Sequence, residues 1–390
     1  MKITAAERKI IEWVQEHILV LFVIFVSVCG LLIRWFLREI ESVDAANCLL
    51  PWYQEMKAGG GFAALRNQVG NYNVLYQFLI AAMTYVPIYA LSAYKALSVI
   101  FDYALAFMAS ALVHEIASEH KKGIAVLTYT LVLLSPLVWL NSSAWGQCDS
   151  IYCFWIVAAF YCLCRDRYSL AFLLYGVAFA FKLQAIFALP FFLLFWFMKK
   201  RFSVLNFLLI PLVLIISTIP AMIAGREGGL LIGFQIYASQ PGSEILYNNY
   251  PSFWTLVSTS APPDYRMIMY AGMFVAAAVM ISLAADWAEH RVKPDPVNAL
   301  YMFFLLTYAC VLFMPGMHER YGYVYEILGI LVAVVNRKTR ALLPVLSGIT
   351  LFTYGQVLFG VEIQLTALAV INCAVFLIYT CLLTKELHAA

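Results

Sequence analysis

The stretch "FMPGMHERYGYVYE", Phe313 to Glu326, sets His318, Glu319 and Arg320 side by side directly after an apolar run. Burying a charge in hydrocarbon costs roughly 2.5–3.5 kcal/mol even on a lenient insertion scale, so such a cluster marks a cavity or a site, unless it is only an anchor at headgroup level. Arg320 offers a forked, permanently charged donor set suited to phosphate, with His318 close by, Glu319 able to orient both and Tyr321 next in line. Four other stretches carry polar groups that could join it. In "REIESVDAANCLLPWYQEM", Glu41 and Asp44 at i, i+3 would share one face of a short helix, where a carboxylate can act as a general base or simply stay a solvated loop charge. "NSSAWGQCDSIY" supplies Trp145, Gln147 and Asp149, a mixture of aromatic plate and bidentate polar groups that suits a sugar, although Asp149 could equally cap the helix that follows. In "FKLQAIFALP", Lys182 and Gln184 interrupt an apolar stretch; a lysine there can also snorkel to the headgroups. "YASQPGSEILYNNYPSFWTLV" adds Asn249, Tyr250 and Trp254, a lid, a sugar-binding wall or a wet loop.

These groups need elements to hold them, and composition says which. The chain has 390 residues, 64% hydrophobic and 12% charged, with a mean hydropathy of +0.83, far outside soluble globular domains. It reads as an all-α, polytopic transmembrane protein forming a single domain over residues 1–390. Net charge is only +3, but the basic residues cluster in short loops: Lys121/Lys122, Arg165/Arg167, Lys199/Lys200/Arg201, Arg291/Lys293 and Arg337/Lys338/Arg340. The positive-inside rule makes these loops cytoplasmic. Spans can then be drawn near 18–36, 94–116, 123–141, 150–164, 169–182, 184–198, 203–223, 267–286, 297–315, 322–336, 341–358 and 363–383, an expectation of about 11–13 transmembrane helices with both ends inside. The stretch Tyr72 to Leu91 is apolar enough to span, but counting it would put Lys121 and Lys122 outside; its Asn, Gln, Tyr and Pro87 suit an interfacial or returning helix. The first outer loop, 37–70, would carry interfacial helices, and a long outer loop runs over 225–266. Every polar cluster above then faces one compartment and can form one site. The nine cysteines show no metal-ligand spacing and read mainly as small core residues, though Cys48 and Cys148 could be bridged on the outside. No P-loop, GxGxxG or zinc motif is present.

Taken in order, the acidic Asp44 in the first outer loop, "YN-x-x-Y" from Tyr72, "WGQCDS", "K-x-Q" from Lys182 followed by Pro190, and "MHERY" resemble the motifs of the GT-C superfamily of integral-membrane glycosyltransferases, in particular bacterial relatives of the GPI mannosyltransferases, over about Asp44 to Tyr321. That resemblance implies an inverting hexosyltransferase of the bacterial plasma membrane with its site facing outside. Its partners would be a polyprenyl-phosphate-linked sugar donor, a lipid-linked or cell-envelope glycan acceptor and the membrane lipids, without nucleic acid. It carries the catalytic base onto Asp44 and donor-phosphate binding onto Arg320, His318 and Lys182, leaving Glu41, Trp145, Gln147, Asp149, Gln184, Asn249, Tyr250, Trp254, Glu319 and Tyr321 for sugar and acceptor. The loop has Glu41 and Asp44 where the eukaryotic pattern has Asp-x-Asp, so the sugar and any divalent ion stay open. No metal or other cofactor is expected, because a cationic clamp can stabilise the departing phosphate. The rival readings are a transporter or flippase of lipid-linked sugar, which would show related halves and midplane polar groups, and a non-catalytic partner presenting carrier lipid, which needs no base at position 44.

Overall fold

The computed structural model describes residues 3–240 and 244–389. Helix α1 (Ala5–Leu37) opens on a reciprocal capping box between Thr4 and Glu7. At 1.5 Å per residue it is about 50 Å long, well beyond a hydrocarbon core of about 30 Å. The charged amphipathic start and the first span are therefore one helix. A π-helical turn, Ala45–Leu49, leads into α2 (Leu50–Ala58) and α3 (Val74–Met83). Helix α4 (Ala90–Ile116) packs with α5 (Lys121–Leu133), after which α6 (Pro136–Trp139) runs into a second π-helical turn, Leu140–Trp145. Next come α7 (Asp149–Cys164), α8 (Tyr168–Phe181), α9 (Leu189–Lys199), α10 (Leu209–Ser217), α11 (Ile219–Ile223) and α12 (Ile232–Ala238). Strand β1 (Tyr247–Asn248) and α13 (Trp254–Val257) precede α14 (Tyr265–Glu289) and α15 (Pro296–Phe313). Strand β2 (Met317–His318), α16 (Tyr323–Val335), α17 (Leu343–Phe359) and α18 (Leu365–Ala389) complete the described chain.

The molecule is an all-α polytopic membrane protein. Among the described residues, seven helical segments are long and apolar enough to cross a membrane: Ala5–Leu37, Ala90–Ile116, Val204–Ile223, Tyr265–Glu289, Pro296–Phe313, Arg337–Phe359 and Leu365–Ala389. The pair Lys121–Leu133 and Pro136–Trp145, bent by 42°, makes an eighth if counted as one span. The other four segments drawn from sequence coincide with the apolar helices Asp149–Cys164, Tyr168–Phe181, Leu183–Lys199 and Tyr323–Val335, each shorter than the about 20 residues a straight crossing needs. Length and composition thus support seven or eight crossings against the expected 11–13. The Tyr72–Leu91 stretch resolves into α3, too short to span, and a break before α4.

Helices α15 and α16 are buried along nearly their whole length. Ring stacking ties them into the core: Phe303 lies on Phe191 with centroids 4.3 Å apart, and Tyr308 on Tyr325 at 4.2 Å. Helix α14 is the opposite case. It is equally apolar but buries only Gly272, Ala276 and Trp287, so it presents most of its surface to lipid.

Two buried cations fix the frame around the first loop. Arg34 of α1 pairs with Asp102 of α4 at 2.8 Å, and its remaining donors reach the carbonyls of Gly30 and Leu133. Ser142 of the second π-turn donates to the same Asp102 oxygen at 2.6 Å. Lys95 points its ammonium at the end of α1, donating to the carbonyls of Leu37, Arg38 and Ile40 at 3.1, 3.1 and 2.6 Å. A cation is well placed there, since the last carbonyls of a helix lack intrahelical partners. The chain consequently leaves α1 at Leu37 in a fixed direction, five residues before Ser42 and eight before Ala45.

Candidate functional site

Asp44 stands at the entrance of the first π-turn, a form of helix found disproportionately at functional sites. Ser42 beside it donates to the Trp145 carbonyl at 2.8 Å and accepts from the Ala45 N–H at 3.1 Å. This stitches the first loop to the second π-turn. Trp145 Nε1 and Gln147 Nε2 each donate to Asp44 Oδ2 at 2.9 Å, which leaves Oδ1 without a donor from the described residues. Gly146 makes the arrangement possible: its φ of +81° is a left-handed conformation that costs glycine little, and it turns the chain so that the Gln147 N–H returns to the Asn141 carbonyl at 2.9 Å. The expectation that Glu41 shares a helical face with Asp44 fails. Glu41 lies in the irregular segment before the turn and is exposed, because Lys95 gathers the carbonyls around Leu37 to Ile40 that a continuing helix would use.

Asp149 begins α7 and is buried, 2% exposed. Lys182, 5% exposed, donates to its Oδ1, and Asn141 donates to Oδ2 at 2.8 Å. Lys182 is able to turn inward because its backbone is extended, between the end of α8 and the 3-10 turn Leu183–Ala188. It does not snorkel. Its ammonium sits between the rings of Tyr72 and Tyr152, 5.7 and 5.6 Å from their centroids.

The third wall is the turn between α15 and α16. Strands β1 and β2 pair in parallel, with Asn248 opposite His318, and the Glu319 N–H donates to the Asn248 carbonyl at 3.1 Å. Asn248 Nδ2 lies 3.0 Å from His318 Nδ1; an amide N–H donates, so Nδ1 accepts and the ring proton sits on Nε2. Burial pushes the His318 pKa down to about 4, with the Arg320 guanidinium acting in the same direction. His318 is thus a neutral hydrogen-bonding group near pH 7, where the resemblance treats it as a cation. Glu319 is pushed up by burial, against the pull of Arg320.

Arg320 is the centre of the arrangement. Its guanidinium lies 4.0 Å from Asp44, 3.9 Å from Asp149 and 3.7 Å from Glu319, and 5.8 Å from the Trp145 ring centroid. None of these carboxylates reaches hydrogen-bond distance, and Nε is buried without a partner. Three acids surround the cation, and its donors make no hydrogen bond among the described residues.

Asp44, Gln147, Lys182, Gln184, His318, Arg320 and Tyr321 all line one cavity of about 290 Å³. Trp145 and Asp149 support it from behind through the bonds above, and Glu319 through Arg320. Asn249, with φ +52°, bridges to His318. Tyr250 and Trp254 are not brought to the cavity. Tyr250 bonds Tyr325 in the core at 2.9 Å, and Trp254 donates to the Phe313 carbonyl at 2.7 Å; both brace the turn that carries His318. Cys48 also lines the cavity, and it and Cys148 are free.

Several cavity residues went unassigned in the sequence. Tyr72 and Asn73 belong to the "YN-x-x-Y" motif, yet nothing in that motif announces that the Tyr72 hydroxyl donates to Gln147 Oε1 at 3.1 Å. Trp52, Asn71, Tyr237 and Gln240 also line the cavity, and they come from segments that only the fold brings near. Asn248 sits one position before the noted Asn249; its strand pairing with His318 is a long-range contact with no local signal. In sequence comparisons, no family model and no curated protein matches the chain.

Proposed function

We propose that the protein is an inverting glycosyltransferase of the GT-C type, embedded in a bacterial plasma membrane with its cavity on the outer side, which moves a hexose from a polyprenyl-phosphate carrier to a hydroxyl of a lipid-linked or cell-envelope glycan. One observation carries this reading: a carboxylate with a free oxygen, Asp44, and a guanidinium with unused donors, Arg320, stand 4.0 Å apart on the wall of one polar and aromatic cavity. In this scheme Asp44 Oδ1 takes the proton of the acceptor hydroxyl as that oxygen attacks the anomeric carbon. The bond from that carbon to the phosphate oxygen breaks on the opposite face, and polyprenyl phosphate leaves with the electron pair. Arg320 stabilises the charge that develops on the phosphate, which is where a preorganised donor lowers the barrier most. His318, neutral, donates from Nε2. Lys182 acts through Asp149, whose charge it balances, and contributes little free positive charge of its own. Trp145 and Gln147 hold the Asp44 carboxylate in register, and Gln184 and Gln240 offer partners to sugar hydroxyls.

The test is to give purified protein labelled polyprenyl-phosphate hexoses and a crude membrane-lipid acceptor, and to measure free polyprenyl phosphate together with labelled product. Transfer with inversion is expected. Movement of the intact lipid-linked sugar across a bilayer without cleavage would instead establish a flippase. Sidedness is checked with an impermeant thiol reagent on intact cells carrying single cysteines beside Asp44 and His318; labelling only after permeabilisation would move the cavity to the inner side.

A further inference from the structure

The geometry points to a divalent transition-metal site at the other end of the bundle, formed by Asp286, His290 and His388. Asp286 and His290 are four residues apart on the last turn of α14 and share a face. His388 comes from the end of α18, which the fold lays alongside. The potential ligand atoms of the three side chains all lie within 4.8 Å of one another. His388 Nε2 is 2.8 Å from Asp286 Oδ2, and His290 Nδ1 is 3.4 Å from Asp286 Oδ1 and 2.9 Å from the Asp286 carbonyl. The two imidazoles stack with centroids 3.6 Å apart and planes within 17°.

Both rings direct nitrogens at a single carboxylate, so three ligating groups from two helices converge on one point. A divalent cation suits this convergence, since it binds imidazole and carboxylate at once. Two nitrogens and one oxygen form a borderline donor set that selects Zn²⁺ or its neighbours over Mg²⁺ and Ca²⁺, which take oxygen ligands. Bonds of about 2.0–2.1 Å in tetrahedral geometry put donors about 3.3 Å apart, so closing the set asks the imidazoles to rotate out of their stack, because a metal lies close to the plane of each ring that binds it. The groups are accessible, with side-chain exposures of 36% for Asp286, 44% for His290 and 29% for His388, and a water can complete the coordination.

The site also has a structural purpose. Helix α14 fully buries only Gly272, Ala276 and Trp287 and meets the bundle chiefly along α15, with far less against α18. A metal bridging its last turn to α18 would staple it there. This proposal is independent of the glycosyltransferase reading.

The experiment uses full-length protein without a polyhistidine tag, stripped with chelator and titrated with Zn²⁺, and with Co²⁺ as a visible-absorbing probe. One equivalent of metal per chain is expected, with affinity lowered about tenfold or more in Asp286→Asn, His290→Gln and His388→Gln, a scale typical even for partners of metal ligands. His388→Cys supplies a thiolate in place of the imidazole, so it should retain Co²⁺ and add a sulfur-to-cobalt charge-transfer band, which a merely misfolded variant would not show. Absence of saturable binding by the parent protein, equal binding by the triple variant, or binding abolished by Cys381→Ser would each overturn the proposal.

Discussion

The two ends of the helical bundle handle charge in opposite ways. Helix α7 runs from Asp149 at the cavity end to Arg165 at the other, and α16 runs from just after Arg320 to just before Lys338. At the cavity end the Lys182–Asp149 pair is 5% and 2% exposed, and Arg320 is shared by three carboxylates. At the basic end the ion pairs are open to water: Lys338–Glu386 at 68% and 33% exposed, and Arg165–Glu115 at 42% and 40%. Water and salt screen the second set, so those pairs contribute little to stability. In the first set Lys182 and Asp149 lie out of water and survive only by mutual compensation, while Arg320 and Asp44, 16% and 39% exposed, stay in contact with the cavity. A cluster whose members must balance one another fixes geometry closely, which is what a site for an anionic group requires.

The comparison breaks or sharpens on five measurements. The largest expected effect is on stability. Asp149→Asn leaves the buried Lys182 ammonium uncompensated and should cost about 3–5 kcal/mol in detergent unfolding, whereas the paired Asp149→Leu/Lys182→Met variant should recover most of it, because removing both charges of a buried pair is far cheaper than removing one. If the single variant is as stable as the parent, compensation is not what holds this end together. Next, under the proposed function, is the rate of sugar transfer. Asp44→Asn should lower it about 10²–10⁴-fold, the span of a lost general base, with donor binding retained; Glu41→Gln, at an exposed position, should change it little. The reverse ranking would move the base to Glu41. Arg320→Lys keeps the charge but loses the planar fork, and turnover should fall about 10²–10³-fold, as for loss of one donor to a developing anion; near-normal turnover would reduce Arg320 to a structural counter-ion.

A smaller effect concerns His318. Its pKa falls from the ordinary 6.5 to about 4 on folding, so between those values the unfolded chain binds the proton more readily. Its contribution to stability is therefore present above pH 6.5 and is lost as pH falls toward 4. In His318→Gln the decline in melting temperature over that window should be shallower; an unchanged slope would show that other groups cause it. The smallest effect belongs to the basic end. Lys338→Met should shift stability by no more than about 1 kcal/mol, as exposed pairs do, and a shift comparable with that of Asp149→Asn would erase the contrast between the ends.

Much of the fold was legible from composition and loop charge. A chain this apolar has to bury its backbone polar groups in helices, and each of the twelve segments drawn from the sequence overlaps a helix or helix pair. The clusters at Asp44, Trp145–Asp149, Lys182 and His318–Tyr321 were legible too, because a polar group among apolar neighbours stands out. Their partners were less so. Lys182 looked as if it could snorkel, yet it is buried against an aspartate from another helix; Tyr250 and Trp254 looked like a sugar wall, yet they brace the core. Asp286 and His290 show an ordinary helical spacing, and nothing nearby in the chain points to His388.

Local chemistry explains that division. Hydropathy and charge are properties of each residue, so the helical class, the approximate segments and the identity of the outlying polar residues were determined by the sequence itself. Exposure, protonation and pairing depend on what stands opposite. That Glu41 falls outside a helix follows from Lys95, 54 positions along the chain, reaching the carbonyls at the end of α1. That His318 is neutral follows from its burial beside Arg320 and its contact with Asn248 across a two-residue strand pairing. Only the tertiary structure could decide these points, because the free energy of a buried charge is set by the few ångströms around it and the groups that fill that space come from every part of the chain.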